Sequence, residues 1–247
     1  MHNRWRGNWA STVTSSPPRK RYDALKILAV ADEESPALWD YYIPGRLKEY
    51  DLLISCGDLK GDYLSFLVTM GRSPLLYVHG NHDTHYEKDP PQGCDCIDDC
   101  LISYNGIRIL GLGGCRRYHP GAHQYSEKEM RRRIRKLRLA LWRSKGVDIV
   151  VTHAPPLGLG DDSDPAHWGF ESFLVLIDKY QPQYLLHGHV HSNYNQNRSR
   201  IHNRNNCTII NCFDRYVLEL PDREVPQRKK PQLIWLHGKP KYPEVEL

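Results

Sequence analysis

Leu75-Leu76-Tyr77-Val78-His79-Gly80-Asn81-His82-Asp83 is a short apolar run that ends abruptly in a glycine, an amide, an imidazole and a carboxylate. A run of this length, bounded by glycine, reads as a buried strand, and the polar quartet then sits at the strand's end. Four other places repeat the arrangement. Tyr184–Leu186 leads to Gly188-His189-Val190-His191, Leu25–Val30 to Asp32-Glu33-Glu34, Leu52–Ser55 to Gly57-Asp58, and Ile149–Thr152 to His153. Carboxylate, amide and imidazole groups gathered at the ends of successive strands are the ligand supply that a two-metal hydrolytic site requires.

Taken singly, three of these have bland readings. Asp32 before Ser35-Pro36 suits a turn or a helix cap, Gly57-Asp58 an ordinary turn, and His153 a core histidine satisfied by backbone. The other two are harder to dismiss. Gly80–Asp83 fixes four residue types in a row, and His189 and His191 lie on one side of an extended segment, two residues apart, so adjacent metals can each take one.

Around these signatures the chain alternates strand-like and helix-like segments. Leu25–Val30, Leu52–Ser55 and Leu75–Val78 are continuously apolar, as strands in a sheet covered on both faces must be. A helix expected between Pro36 and Pro44 or beyond, and another over Tyr63–Met70, make the three strands parallel through right-handed crossovers. Asn105-Gly106, between Cys100–Tyr104 and Ile107–Leu112, is a two-residue hairpin signal. Ser126 and Glu129 form a capping box ahead of the apolar stripe Met130, Ile134, Leu137 and Leu141, which predicts a helix to Lys145. Arg131, Arg132, Arg133, Arg135, Lys136, Arg138 and Arg143 of that helix read as a solvated face in preference to a phosphate-reading surface. A further helix is expected over Phe170–Tyr180, and a closing strand pair over Cys207–Cys212 and Tyr216–Leu220.

The net charge of +5 is carried by the ends: residues 1–23 hold +4 and residues 222–247 hold +2, which leaves −1 for the body. That distribution disfavours nucleic acid as a partner. No apolar run reaches the roughly 18 residues of a membrane span and no signal core is visible, so a soluble, cytoplasmic protein is expected. Seven cysteines, an odd number, read as reduced thiols. Cys94, Cys96 and Cys100 cluster, but their spacing suits a surface loop better than a zinc knuckle. The organisation expected is a flexible basic arm over 1–23, one domain over 24–220, and a proline-rich tail over 221–247 that straps around Leu233–Leu236 or stays mobile.

The ordered series Asp32-x-Glu34, Gly57-Asp58, Gly80-Asn81-His82-Asp83, His153 and Gly188-His189-Val190-His191 resembles the calcineurin-like metallophosphoesterase superfamily over roughly residues 24–220. The resemblance implies an α/β fold, a four-layer α/β/β/α sandwich of two mixed sheets flanked by helices, with the metal site at the strands' C-terminal ends. It implies two divalent metal ions, manganese (Mn2+) before iron, magnesium or zinc. Asp32 and His191 would bind the first, Asn81, His153 and His189 the second, and Asp58 both, while His82 would be the acid for the leaving group. The reaction implied is hydrolysis of a small phosphomonoester or phosphodiester by a metal-bridging hydroxide. Cys115–Met130, with Tyr118, His119 and His123, and Pro155–Gly169 would form the rim. One position departs from the pattern: Glu34 stands where the superfamily has histidine. Its spacing from Asp32 is unchanged, so ligation of the first metal through oxygen is expected. The competing readings are a catalytically weak interaction scaffold of the same fold and a nuclease of the same chemistry.

Overall fold

A computed structural model describes residues 25–191, 199–221 and 232–239. In chain order the strands are β1 (Leu25–Ala31), β2 (Leu52–Ser55), β3 (Leu75–Tyr77), β4 (Cys94–Cys96), β5 (Leu101–Tyr104), β6 (Ile107–Leu112), β7 (Cys115–Arg116), β8 (Gln124–Tyr125), β9 (Ile149–Thr152), β10 (Tyr184–His187), β11 (Ile201–Arg204), β12 (Cys207–Asn211), β13 (Asp214–Leu220) and β14 (Leu233–His237). Three α-helices accompany them: α1 (Gly61–Gly71), α2 (Glu127–Arg143) and α3 (Glu171–Tyr180). One mixed sheet has the order β13-β1-β2-β3-β4 and a larger one β11-β12-β10-β9-β6-β5-β14, while β7 and β8 pair by themselves.

The period of two along β1 shows why its sequence is apolar throughout. Ile27, Ala29 and Ala31 join a cluster with Ile109, Ile149, Val151, Leu186 and Ile210 of the larger sheet. Leu28 and Val30, on the opposite face, pack with Tyr63, Leu64 and Leu67 of α1. On the far side of the larger sheet, Val150, Leu185 and Ile209 pack with Met130, Leu137 and Leu141 of α2 and with Phe173 and Leu176 of α3. Both sheets are thus mixed, share one apolar core, and carry helices on their other faces. Strands β1, β2 and β3 are parallel, and so are β6, β9, β10 and β12, so their C-terminal ends open on a common edge.

Local expectations hold where residue chemistry dictates them. Asn105 and Gly106 both take positive φ (48° and 84°), the two-residue turn that joins β5 to β6. The Ser126 hydroxyl accepts from Glu129 N–H at 3.3 Å, and Glu129 Oε2 accepts from Ser126 N–H at 2.7 Å, closing the capping box. All seven cysteines are thiols.

Four features differ from the sequence reading. Residues 36–44 form turns and no α-helix, with a single 3-10 turn at Arg46–Glu49: Trp39 and Tyr42 fold back edge-on to Phe66, so no helical stripe is needed to cover the sheet. The segments at 207–212 and 216–220 do not pair with each other. The chain changes sheets at Cys212–Phe213, so β12 lies beside β10 and β13 runs antiparallel to β1. Leu233–His237 is extended and packed, as the strap reading of the tail has it, but it joins the larger sheet itself as an edge strand on β5. Arg133 is not solvated with its neighbours: it turns inward, donates to the Gly113 carbonyl at 2.7 Å and Asp99 at 2.8 Å, and lies 4.3 Å from the Tyr125 ring centroid. The arm over 1–23 and residues 222–231 and 240–247 lie outside the described residues.

The two kinds of arginine on α2 separate in a stability measurement. Arg133→Met is expected to lose about 2–4 kcal/mol by urea unfolding, because it strips hydrogen bonds and a counter-charge from a buried site. Arg132→Met, on the exposed face, should change stability by less than about 0.5 kcal/mol. Equal effects would remove the distinction.

Candidate metal centre

The five signatures converge. Asp32 follows β1, Asp58 lies beyond β2, Asn81 beyond β3, His153 follows β9 and His189 lies beyond β10, so three come from one sheet and two from the other. Backbone hydrogen bonds lock the loops together. Asp32 N–H donates to the Gly57 carbonyl at 3.1 Å, Gly188 N–H to the His153 carbonyl at 3.0 Å, and His189 N–H to both carboxylate oxygens of Asp32 at 2.9 Å.

Close approach explains the glycines. A Cβ on Gly80 would overlap the Asp58 carboxylate, and one on Gly188 would overlap the Asp32 carboxylate. These two glycines therefore vacate the space that another signature's carboxylate fills, whereas a Cβ on Gly57 would meet the backbone of Gly80. Asp32, Asp58 and His189 themselves adopt left-handed backbone (φ 64°, 58° and 68°), strain of the kind that persists where surrounding structure over-determines it.

The chemistry of the centre follows from its hydrogen bonds. His153 Nδ1 lies 2.8 Å from the Cys56 carbonyl and His189 Nε2 lies 2.8 Å from the Ala166 carbonyl. A carbonyl only accepts, so those nitrogens carry the protons, and the neutral rings present lone pairs at His153 Nε2 and His189 Nδ1. These two atoms face each other at 3.1 Å. Asn81 Oδ1 stands 3.1 Å from His153 Nε2, and Asp58 Oδ2 3.2 Å from it. Four acceptor atoms thus surround a point that only a proton or a cation can satisfy. The residues fit a metal ion: Asp58, His153 and His189 offer ligand atoms within 4.8 Å of one another, and backbone carbonyls orient both imidazoles as metal-binding histidines are commonly oriented.

Electrostatics agree. Burial works against a charged His153, yet Asp58 and then Asp32 raise it to about 10, so without a metal it carries the proton that the cluster demands. Burial opposes the ionised form of Asp58, but the His153 cation and the His82 N–H hold it well below the usual carboxylate range. Burial raises Asp32 to about 7, and burial followed by the Asp58 charge raises Asp83 to about 6. Burial, then the His153 cation, holds His189 well below the ordinary imidazole value.

Of the remaining expected residues, Glu34 and His82 border a cavity of about 450 Å³ that Asp32, Asp58, Lys60 and His85 also line, and His191 is not among its lining residues. His82 is exposed there, and its backbone N–H donates to Asp58 Oδ1 at 2.8 Å. Glu34 pairs with Lys60 at 3.1 Å. His191 is half-buried, with its ring 5.0 Å from that of Phe213. From the rim, the Tyr118 hydroxyl reaches Asn81 Nδ2 at 3.4 Å. The Cys56 carbonyl and Lys60 had no site signal in the sequence, whereas the Ala166 carbonyl and His167, whose ring lies 5.2 Å from His189, belong to the segment expected as rim but without a role of their own. Asp83 was visible in its signature but without a role. Its Oδ2 accepts from Gly80 N–H at 2.7 Å and Asp58 N–H at 2.8 Å, tying two metal loops together.

The cysteines at 94, 96 and 100 do not converge on one another. Cys96 instead approaches His79, whose Nδ1 lies 2.6 Å from Asp98. Burial would raise Asp98, but the hydrogen bond from His79 and the charges of His79 and Arg133 bring it to about 2. This buried pair fastens the loop carrying Gly80 to the one after β4.

A family model for calcineurin-like phosphoesterases matches residues 21–193. The UPF0046 protein K07C11.7 of Caenorhabditis elegans is 25% identical over 229 residues, covering 80% of this chain and 72% of that protein. One solved crystal structure superposes with a TM-score of 0.59 at 16% identity, covering 87% of this chain and 100% of the other. That of TT1561 from Thermus thermophilus gives a TM-score of 0.48 at 14% identity, over 77% of this chain and 90% of the other.

Gly80→Ala and Gly188→Ala are expected to displace Asp58 and Asp32 respectively. Each should lower stability by about 1–3 kcal/mol and reduce Mn2+ bound after gel filtration, measured by elemental analysis. Wild-type metal content in both variants would show that the close approaches are not needed to shape the centre.

Proposed function

Because the chain belongs to the calcineurin-like phosphoesterase family, we propose that it is a metal-dependent hydrolase of a small phosphomonoester or phosphodiester, acting through two divalent ions. The observation that carries this reading is the set of four acceptor atoms on Asp58, Asn81, His153 and His189, which nothing in the described chain but a proton neutralises.

Asp58, Asn81, His153 and His189 would hold one ion; Asp32, His191 and Glu34 would hold the other, with Asp58 shared. The exposed pair between Glu34 and Lys60 is worth at most about 1 kcal/mol, too little to keep Glu34 from a divalent cation. Divalent ions in this position supply Lewis acidity for a phosphoryl oxygen and for the attacking water. The donor set, imidazole nitrogen mixed with carboxylate and amide oxygen, suits manganese, iron or zinc, and an added Glu34 oxygen shifts the first site toward manganese.

The chain's own groups do the rest. His82 stands at the mouth of the cavity, anchored to Asp58 through its backbone and free in its side chain to hand a proton to the departing oxygen. Lys60 lines the same cavity and complements the charge of a phosphate, and His85 beside it offers a ring N–H. Asp83 holds the loops of Asp58 and Asn81 at fixed separation, so the ligands are set before substrate arrives. The presence of His82 and of every ligand after Glu34 favours catalysis over an inert scaffold.

Turnover of p-nitrophenyl phosphate and of its bis ester with added Mn2+ tests the reading. His82→Ala is expected to lower kcat by about 10²- to 10⁴-fold with metal content unchanged. Metal-loaded wild type without turnover of either ester would sink the hydrolase. An unaffected His82→Ala would remove the acid assignment alone. At the first site, Glu34→Gln should weaken Mn2+ binding in calorimetric titration; unchanged affinity at both sites would take Glu34 out of the ligand set.

A further inference from the structure

The C-terminal half of α2 is a strongly cationic surface, and it lies away from the candidate metal centre. Lys145 and Gly146 lead into the N-terminal end of β9, and Tyr180 precedes β10, whereas the ligands follow the C-terminal ends of those strands. Here a groove of about 740 Å³ is lined by Arg135, Lys136, Arg138, Trp142, Lys179 and Tyr180 among others. Trp142 is 75% exposed and Leu139 52% exposed at its wall.

Counter-charge is missing. Glu127, Glu129, Glu171 and Asp178, the acidic residues of α2 and α3, are engaged by Arg131, Arg117, Arg131 and Arg204 respectively. Arg132, Arg135, Lys136, Arg138, Arg143 and Lys145 enter no ion pair with any described residue. The helix that displays them is held firmly: Arg108 donates to the Ser144 and Lys145 carbonyls at 2.9 and 2.6 Å while Asp148 holds its guanidinium.

We propose that this groove binds single-stranded nucleic acid, with phosphates along the cations of α2 and a base stacked on Trp142. Three observations select that ligand. The cations from Arg132 to Arg143 extend over roughly 16 Å of helix, with Lys145 just beyond its end, several phosphate spacings and more than one nucleotide needs. An exposed indole among guanidinium groups offers the stacking platform that strands use without regard to sequence. The apolar stripe of α2 is spent on the core, which leaves only Leu139 and Trp142 to enter a bilayer, and no described strand edge borders the groove to receive a peptide. The body's near-neutral total, which argued against nucleic acid, averages over this strip and over the acidic metal centre.

The test is fluorescence anisotropy of labelled 12-nucleotide oligouridylate and oligothymidylate with the full chain in EDTA, which keeps the metal centre out of the measurement. Binding should weaken steeply with salt. Trp142→Ala should cost about 5- to 150-fold in affinity while Trp142→Phe retains most of it. Arg135→Gln with Arg138→Gln should lower the slope of log K against log salt by about 1.4 in magnitude, two phosphate contacts' worth. Full affinity in both variants would place the contact elsewhere, in the basic ends for example, and overturn the proposal. So would failure of both strands to bind, binding to phosphatidylserine vesicles or an acidic peptide alone, or displacement of the strand by an equal nucleotide concentration of uridine monophosphate. None of these outcomes depends on hydrolytic activity, so this proposal and the enzymatic one fail separately.

Discussion

Asp58 is the constraint from which the rest of the candidate metal centre can be derived. Its backbone N–H is held by Asp83, one carboxylate oxygen by His82 N–H, and the other faces His153. Its left-handed backbone and its contact with the bare Cα of Gly80 leave it one position. An anion so confined demands positive charge on its far side, and the fold answers with His153 from the second sheet, which carries a proton there while His189 beside it stays neutral. The arrangement needs both sheets, because no single strand end could bring a carboxylate, an amide and two imidazoles around one point. The shared apolar core is what holds the two sheets in that relation.

Much of this is legible in the sequence. Continuous apolar runs marked strands buried on both faces, since a period of two divides Ile27 and Ala29 from Leu28 and Val30 without either face being polar. The polar residues after those runs marked the groups that the fold gathers around one point. Legibility stopped where residue type carries no information. The Cys56 and Ala166 carbonyls fix the tautomers of His153 and His189, and any residue could have supplied them. Lys60 reaches the site only through a loop path that no local pattern encodes, and His167 was legible only as part of the rim segment.

The misreadings share a cause. A helix between Pro36 and Pro44 is the usual crossover between two parallel strands, yet here turns make the crossover and their aromatic residues do the covering. Arg133 was grouped with its cationic neighbours because helical periodicity places it near the edge of the apolar stripe, where a long side chain can turn either way. Tyr125 and the Gly113 carbonyl, which no helical pattern takes into account, decide its direction. In both cases a tertiary partner overrode a local rule.

Strand β14 bears on how the chain is made. It pairs Leu233 with Tyr104 and Trp235 with Ile102, so β5 waits for a segment synthesised some 130 residues later. Until then β5, whose Leu101 and Ile102 are fully buried in the finished fold, offers a bare apolar edge to any strand that passes. β1, the first strand, likewise completes its pairing only with β13. Sequence separations of this size slow folding, because the loop entropy is lost before the contact forms. The larger sheet is therefore open to intermolecular pairing for much of its synthesis, and the interval before β14 arrives is when a chaperone would matter most.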